Sequence, residues 1–128
     1  MKAETVEKRL MTKLASLIEA HAQARTAFND GVVALMTTQI IETAFILHRR
    51  QQAMRLAEYL IESRGEEQFS QWLDRAIKKQ SKALYNTTYY GVNGRTLDRE
   101  LHSAWTAGCA DVLGELMEAR EALEENNQ

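Results

Sequence analysis

Residues 6–17 read VEKRLMTKLASL, and the spacing of their apolar side chains predicts the fold class. Val6, Leu10, Leu14 and Leu17 recur at intervals of four, four and three residues, which places them on one face of an α-helix. The same spacing continues through His21, Ala24 and Phe28. A narrow apolar face of this kind is typical of a helix that packs lengthwise against other helices.

The remainder of the chain follows the same pattern and divides into further helices. It contains no proline, and its turn residues lie at 29–31, 64–65 and 91–94, where glycine and asparagine can end a helix. No stretch alternates apolar and polar residues as a strand would. The sequence predicts an all-α fold with helices at about residues 3–29, 32–64, 66–86 and 96–125.

The second segment is expected to be the longest and most buried helix, and Phe45 belongs to its apolar face. Two alternatives remain for its beginning. Asp30 could cap it, or the first two helices could continue into each other through a kink at Gly31, since glycine within a helix costs only about 1 kcal/mol relative to alanine.

Helix length indicates how the chain is organised. We expect residues 1–128 to form a single helical domain. Helices of roughly 30 residues would be roughly 45 Å long, which exceeds the width of a compact domain of this size. The sequence therefore predicts an elongated four-helix bundle completed by self-association, most simply as a two-fold dimer. Candidate interface residues are Leu10, Leu14 and Leu17 on the first helix and Tyr85, Tyr89 and Tyr90 near the third turn.

Composition is close to that of soluble globular proteins, with 45% hydrophobic and 27% charged residues. The longest apolar run, residues 31–36, is far shorter than the roughly 20 residues that span a bilayer. The first residues are charged and lack the apolar region of a secretory signal. The only cysteine, Cys109, cannot form an internal disulfide. We expect a cytoplasmic protein that does not enter a membrane.

The net charge of −2 conceals an uneven distribution. The charged residues within 75–99 are mainly lysine and arginine, whereas those within 100–125 are mainly acidic. This asymmetry suits nucleic-acid binding by the basic part, and it equally suits neutralisation between two parts of the protein or between subunits.

One stretch, YGVNGRTLDREL at residues 90–101, has an order that is typical of a helix-turn-helix element. Gly91, Val92, Asn93 and Gly94 form the turn, and Thr96-Leu97 would begin the next helix. With Leu73-Asp74 upstream, residues 73–101 resemble the C-terminal helix-turn-helix of Fis-type regulators. The resemblance implies major-groove or flanking phosphate contacts by Asn93, Arg95, Thr96 and Arg99, with phosphate contacts by Lys78, Lys79 and Lys82. The alternative is an ordinary helical corner in which Asn93 or Thr96 caps the fourth helix.

No catalytic or metal-binding motif is recognised. The three histidines, His21, His48 and His102, do not fall into the spacings of helical zinc or di-iron sites. Phosphate-binding glycine loops and serine nucleophile elbows are also missing from the sequence. We expect neither enzyme activity, nor a cofactor, nor a metal.

These observations favour a non-catalytic regulatory or adaptor protein that binds a macromolecular partner, namely a protein, and associates with itself. The alternative is a dimeric DNA-binding transcription regulator that reads duplex DNA with residues 73–101. The two hypotheses differ in the salt dependence of DNA binding, which should be steep only for the second.

Overall fold

A computed structural model describes residues 2–31, 37–85 and 96–126, and within them it contains four helices and no strand. These are α1 (Ala3–Gly31), α2 (Thr37–Glu62), α3 (Phe69–Tyr85) and α4 (Thr96–Asn126). The predicted all-α fold is confirmed. Whether α1 and α2 are continuous depends on residues 32–36, which lie outside the described residues.

The turn between α2 and α3 is built around Gly65 and Arg64. Gly65 has a φ of +57°, the left-handed conformation that commonly follows the last turn of a helix. The Arg64 guanidinium donates hydrogen bonds to the backbone carbonyls of Gly65 (3.2 Å) and Glu67 (2.6 Å) and forms an ion pair with Glu7 of α1. These contacts hold the residues before Phe69 in a turn, so α3 begins three residues later than the expected position 66.

Side-chain contacts show the relative directions of neighbouring helices. Glu7 meets Arg64 and Arg25 meets Gln51, so α1 and α2 are antiparallel. Two further pairs, Gln80 with Cys109 and Asp74 with Arg120, make α3 and α4 antiparallel.

In the centre, α2 and α4 run parallel and pack closely against each other. Arg49 meets Trp105, and Gly108 lies against Ala53 one turn further along both helices. α1 contacts both members of this pair, and α3 packs mainly against α4.

The hydrophobic core occupies one end of the bundle, where all four helices are present. We call this the four-helix end; it comprises residues 3–17, 53–62, 69–85 and 108–126. Trp72, Leu73, Leu14, Val112 and Leu116 are at most 1% exposed there. Each of them stabilises the fold by about 1.5–3 kcal/mol, as is typical of a fully buried large apolar side chain.

At the other end only α1, α2 and α4 are present among the described residues. We call this the three-helix end; it comprises residues 18–31, 37–52 and 96–107. Of the side chains described there, only Ala104 is buried. Ile18, Phe28, Ile40, Ile46 and Leu47 are half-buried. In the described part of the chain, none of the helices combines the length and apolar character needed to cross a membrane.

Candidate interaction surface

The third helix is too short to cover α2 along its whole length. At a rise of 1.5 Å per residue, the 17 residues of α3 span about 25 Å, whereas the 26 residues of α2 span about 39 Å. Because α3 starts at the carboxyl end of α2 and runs back along it, α3 ends before the first turns of α2. The three-helix end follows directly from this difference in length.

Phe45 lies on the part of α2 that extends past α3. Phe45, Arg49, Gln52, Leu56 and Tyr59 are spaced four, three, four and three residues apart, so they form one stripe of α2. At the four-helix end of this stripe, the ammonium group of Lys79 on α3 lies 4.0 Å from the centre of the Tyr59 ring. At the opposite end, Phe45 is 51% exposed. The expectation that Phe45 belongs to a buried face therefore does not hold.

Beside Phe45, Arg49 joins α2 to α4. The Arg49 guanidinium carbon lies 4.4 Å from the centre of the Trp105 ring, which is cation–π geometry. Its Nη1 donates a 3.0 Å hydrogen bond to Oε1 of Gln52. These two contacts fix the guanidinium plane. Because a guanidinium has five N–H donors, several remain for another acceptor.

Within the described part of the chain, two buried polar atoms of α4 near Arg49 have no hydrogen-bond partner. They are Nε1 of Trp105 and Oγ1 of Thr106. An unsatisfied buried donor costs about 1–3 kcal/mol, so such groups are uncommon in a completed interior. We define the Phe45 surface as Glu42, Phe45, Arg49, Gln52 and Trp105.

A second candidate surface is the lysine stripe of α3, formed by Lys78, Lys79 and Lys82. All three side chains are exposed. Arg75, one turn earlier, forms an ion pair with Glu67. The stripe is therefore accessible to a negatively charged partner, as the DNA-binding hypothesis requires.

Two acids of α4 form ion pairs with α1. Glu115 and Glu118 lie 3.5 Å and 3.1 Å from Nζ of Lys13 on α1, and the hydrogen bond to Glu118 is the main cause that raises the pKa of Lys13. Arg120 of α4 forms an ion pair with Asp74 of α3. Within the described residues, Glu115 and Glu118 thus pair with Lys13 of α1, and no ion pair joins the acids of α4 to the lysine stripe.

The proposed DNA-reading element falls only partly within the described residues. Asn93 and Arg95 lie outside them; Thr96 and Arg99 lie in the first turn of α4, with side chains that are not described. Leu73-Asp74 is on α3, where Asp74 pairs with Arg120 near the far end of α4. The long antiparallel packing of α3 and α4 differs from the crossed pair of a helix-turn-helix, in which the helices meet at about 90–120°.

The expected interface residues of α1 have a different role in the structure. Leu10 and Leu14 are 2% and 0% exposed, in the chain's own core, and Leu17 is half-buried against it. Sequence spacing could not distinguish a face that packs against α2 and α4 from one that packs against a second chain. The side chain of Tyr85, and all of Tyr89 and Tyr90, are outside the described residues.

Cys109 lies where α3 packs on α4. It is fully buried, and Nε2 of Gln80, itself 1% exposed, donates a 3.1 Å hydrogen bond to the Cys109 carbonyl. Burial raises the pKa of the thiol to about 11, and the nearby positive charge of Arg49 opposes this rise. The thiol is therefore protonated at neutral pH and is a poor nucleophile there.

Metal ligands do not cluster in the part of the chain that the structure describes. No group of three or more histidine, cysteine, aspartate or glutamate side chains is placed there so that it could hold an ion.

The Phe45 surface was not recognised from the sequence. Its signal was present in the spacing of Phe45, Arg49 and Gln52, but recognising it requires knowing where α3 ends.

Comparison of the chain with models of protein families, with curated proteins and with solved structures gives no match.

Proposed function

We propose that this chain is a non-catalytic helical interaction protein that associates with itself through the Phe45 surface and binds a protein partner in that form. The observation that carries the proposal is the half-exposed Phe45 ring, which lies one turn of α2 from Arg49, the residue whose guanidinium stacks on Trp105. A second chain on this surface would remove the Phe45 ring from water. Aromatic residues and arginine also dominate the binding energy of many protein interfaces.

Charges around Phe45 favour a second copy of the chain as the occupant. Glu42 and Arg49 lie three residues before and four residues after Phe45, on the same stripe of α2. If two α2 helices pack antiparallel about a two-fold axis near Phe45, Glu42 of each copy faces Arg49 of the other. A two-fold interface needs a surface that complements itself in this way. The stacked Arg49 guanidinium is already held in place by Trp105 and Gln52.

The oligomeric state in solution tests this proposal. Sedimentation of the wild-type chain across the micromolar range should show a monomer–dimer equilibrium, and Phe45→Glu should yield a monomer with unchanged helical content. Met117→Glu is the matched control, because Met117 is also exposed, at 45%, but lies on α4 in the four-helix end. A wild-type chain that remains monomeric, or equal losses in both variants, would refute the interface.

Charge exchange tests the antiparallel arrangement itself. Glu42→Arg alone places two positive charges opposite each other in the dimer and should weaken it. The double variant Glu42→Arg, Arg49→Glu restores opposite charges and should recover part of the affinity. A double variant that is weaker than either single variant would contradict this geometry.

For the protein partner, we propose the lysine stripe of α3 as the contact surface. Exposed Lys78, Lys79 and Lys82 on one helix favour a partner with an acidic face. The same exposure supports the second candidate function, in which duplex DNA is bound by residues 73–101.

Titration with salt separates the two candidates. A DNA-binding protein should bind duplex DNA with an affinity that falls steeply as salt increases, and Lys79→Gln and Lys82→Gln should each reduce that slope. Absence of binding to random duplex DNA at low salt would remove the DNA candidate and leave the protein partner. Arg75→Gln is the matched control, because Arg75 is already paired with Glu67.

A further inference from the structure

A polar cleft lies between α1 and α2, on the side of α2 away from its buried face. Its volume is about 280 Å³. Each lining residue carries a charged or hydrogen-bonding side chain. The lining consists of Arg25, His48, Gln51, Gln52, Arg55 and Glu58. Of its lining residues, only Gln52 also belongs to the Phe45 surface, and the proposed self-association assigns no role to the others.

Hydrogen bonds around the cleft make it rich in donors. Nη1 of Arg25 donates to Oε1 of Gln51 at 2.8 Å, and Nη1 of Arg49 donates to Oε1 of Gln52 at 3.0 Å. Both glutamine oxygens are therefore occupied by arginines, so each amide has its NH2 group left as a donor. Together with the guanidiniums of Arg25 and Arg55, these groups present N–H bonds to whatever enters the cleft.

The positive charge of the cleft is not neutralised locally. Among the residues that the structure describes, neither Arg25 nor Arg55 has a carboxylate within 4.0 Å. Glu58 is the only acid of the lining, and its side chain is exposed. Unpaired guanidiniums in a concave site concentrate positive potential and attract anions.

We propose that this cleft binds a small anion with two linked phosphate groups, for which the probe is inorganic pyrophosphate. Two arginines provide the planar pairs of donors that match phosphate oxygens. The volume is slightly below the roughly 300–1,000 Å³ of pockets for drug-sized ligands, and every described residue that lines it is charged or polar. The cleft therefore suits the phosphate groups themselves rather than an attached base or acyl chain.

Calorimetric titration of the full chain with pyrophosphate at low ionic strength tests the proposal. One pyrophosphate should bind per chain, more tightly than orthophosphate does. Arg55→Gln and Arg25→Gln should each weaken binding by about tenfold or more, the expected loss for a charge-assisted hydrogen bond. Arg75→Gln, which alters an exposed arginine of α3, is the matched control and should bind like the wild type.

Glu58→Gln provides a result that general damage to the fold would not produce. Removing the only negative charge of the lining should tighten pyrophosphate binding several-fold, while circular dichroism confirms equal helical content in all variants. Phe45→Glu should bind pyrophosphate like the wild type, which separates this site from the proposed self-association.

Three outcomes would overturn the proposal. They are no pyrophosphate binding by the wild type, an Arg75→Gln loss as large as that of Arg55→Gln, and weaker binding by Glu58→Gln. Duplex DNA is tested as an alternative ligand, since its backbone also carries phosphates. If DNA binds, pyrophosphate does not compete with it, and Arg55→Gln abolishes DNA binding, the occupant is a nucleic-acid backbone and the small-anion proposal fails.

Discussion

The two ends of the bundle share the helices α1, α2 and α4, and differ in whether α3 accompanies them. Where α3 is present, its Trp72 and Leu73 belong to the hydrophobic core and are at most 1% exposed. Past its end, Phe45 of α2 is 51% exposed. The comparison shows that the buried apolar residues concentrate where all four helices are present, although Tyr59 on α2 remains 52% exposed there.

Truncation of an aromatic residue at each end should give the largest contrast. Trp72→Ala should lower the free energy of unfolding by about 3–5 kcal/mol, because it leaves a large cavity in a packed core. Phe45→Ala should change it by less than about 1 kcal/mol, as is usual for surface positions. Chemical denaturation at a dilution where the chain is monomeric provides the measurement. Similar losses at both positions would mean that the three-helix end is as well packed as the other.

Substitution of two glycines of α4 tests how closely this helix approaches α2. A Cβ at Gly108 would lie 2.7 Å from Cβ of Ala53 on α2, whereas a Cβ at Gly114 would meet nothing within 4 Å. Gly108→Ala should therefore destabilise the protein by about 1–3 kcal/mol, because α2 and α4 must move apart. Gly114→Ala should stabilise it by up to about 1 kcal/mol through helix propensity.

Thermal or denaturant unfolding of both glycine variants distinguishes these effects, and Ala53→Gly added to Gly108→Ala should recover part of the loss. If Gly108→Ala were as stable as Gly114→Ala, the close approach of α2 and α4 at this level would be incorrect.

Titration of Cys109 tests how far the closed interior extends. Its pKa is raised from 9.0 to about 11 by burial, so between these pH values the folded chain keeps a proton that the unfolded chain has lost. The stability contribution is therefore complete below pH 9 and declines as pH rises towards 11, by up to about 1.4 kcal/mol per pH unit. Cys109→Ala should remove this part of the slope in denaturation series from pH 8 to 11. An identical slope in the variant would place the thiol in contact with water.

Much of the fold was predictable from local pattern. Apolar residues at spacings of three and four predicted four helices, and the ends of α1 and α4 lie within two residues of the expected positions. Gly65 was recognised as a turn because only glycine adopts its left-handed conformation without strain. The beginning of α3 was misjudged, since the acids at 66 and 67 suit a first helical turn, whereas Arg64 holds this segment in the turn through the Glu67 carbonyl.

The candidate surfaces were less predictable. Lys78, Lys79 and Lys82 were expected to be exposed, and they are. Leu10 and Leu14 were expected to serve a second chain but are buried in their own. The Arg25 and Arg55 cleft went unrecognised because Arg25 is far in sequence from the lining residues of α2 and meets them only when α1 and α2 pack antiparallel.

The sequence by itself determined that this protein is all-helical and where most of its helices begin and end, because helix formation depends on residues within one or two turns of each other. Only the tertiary structure decided which faces of those helices meet. An apolar stripe such as that of α2 is the same in the sequence whether or not a neighbour covers it. On that stripe of α2, Leu56 is half-buried against the core, whereas Phe45 and Tyr59 are each about half exposed.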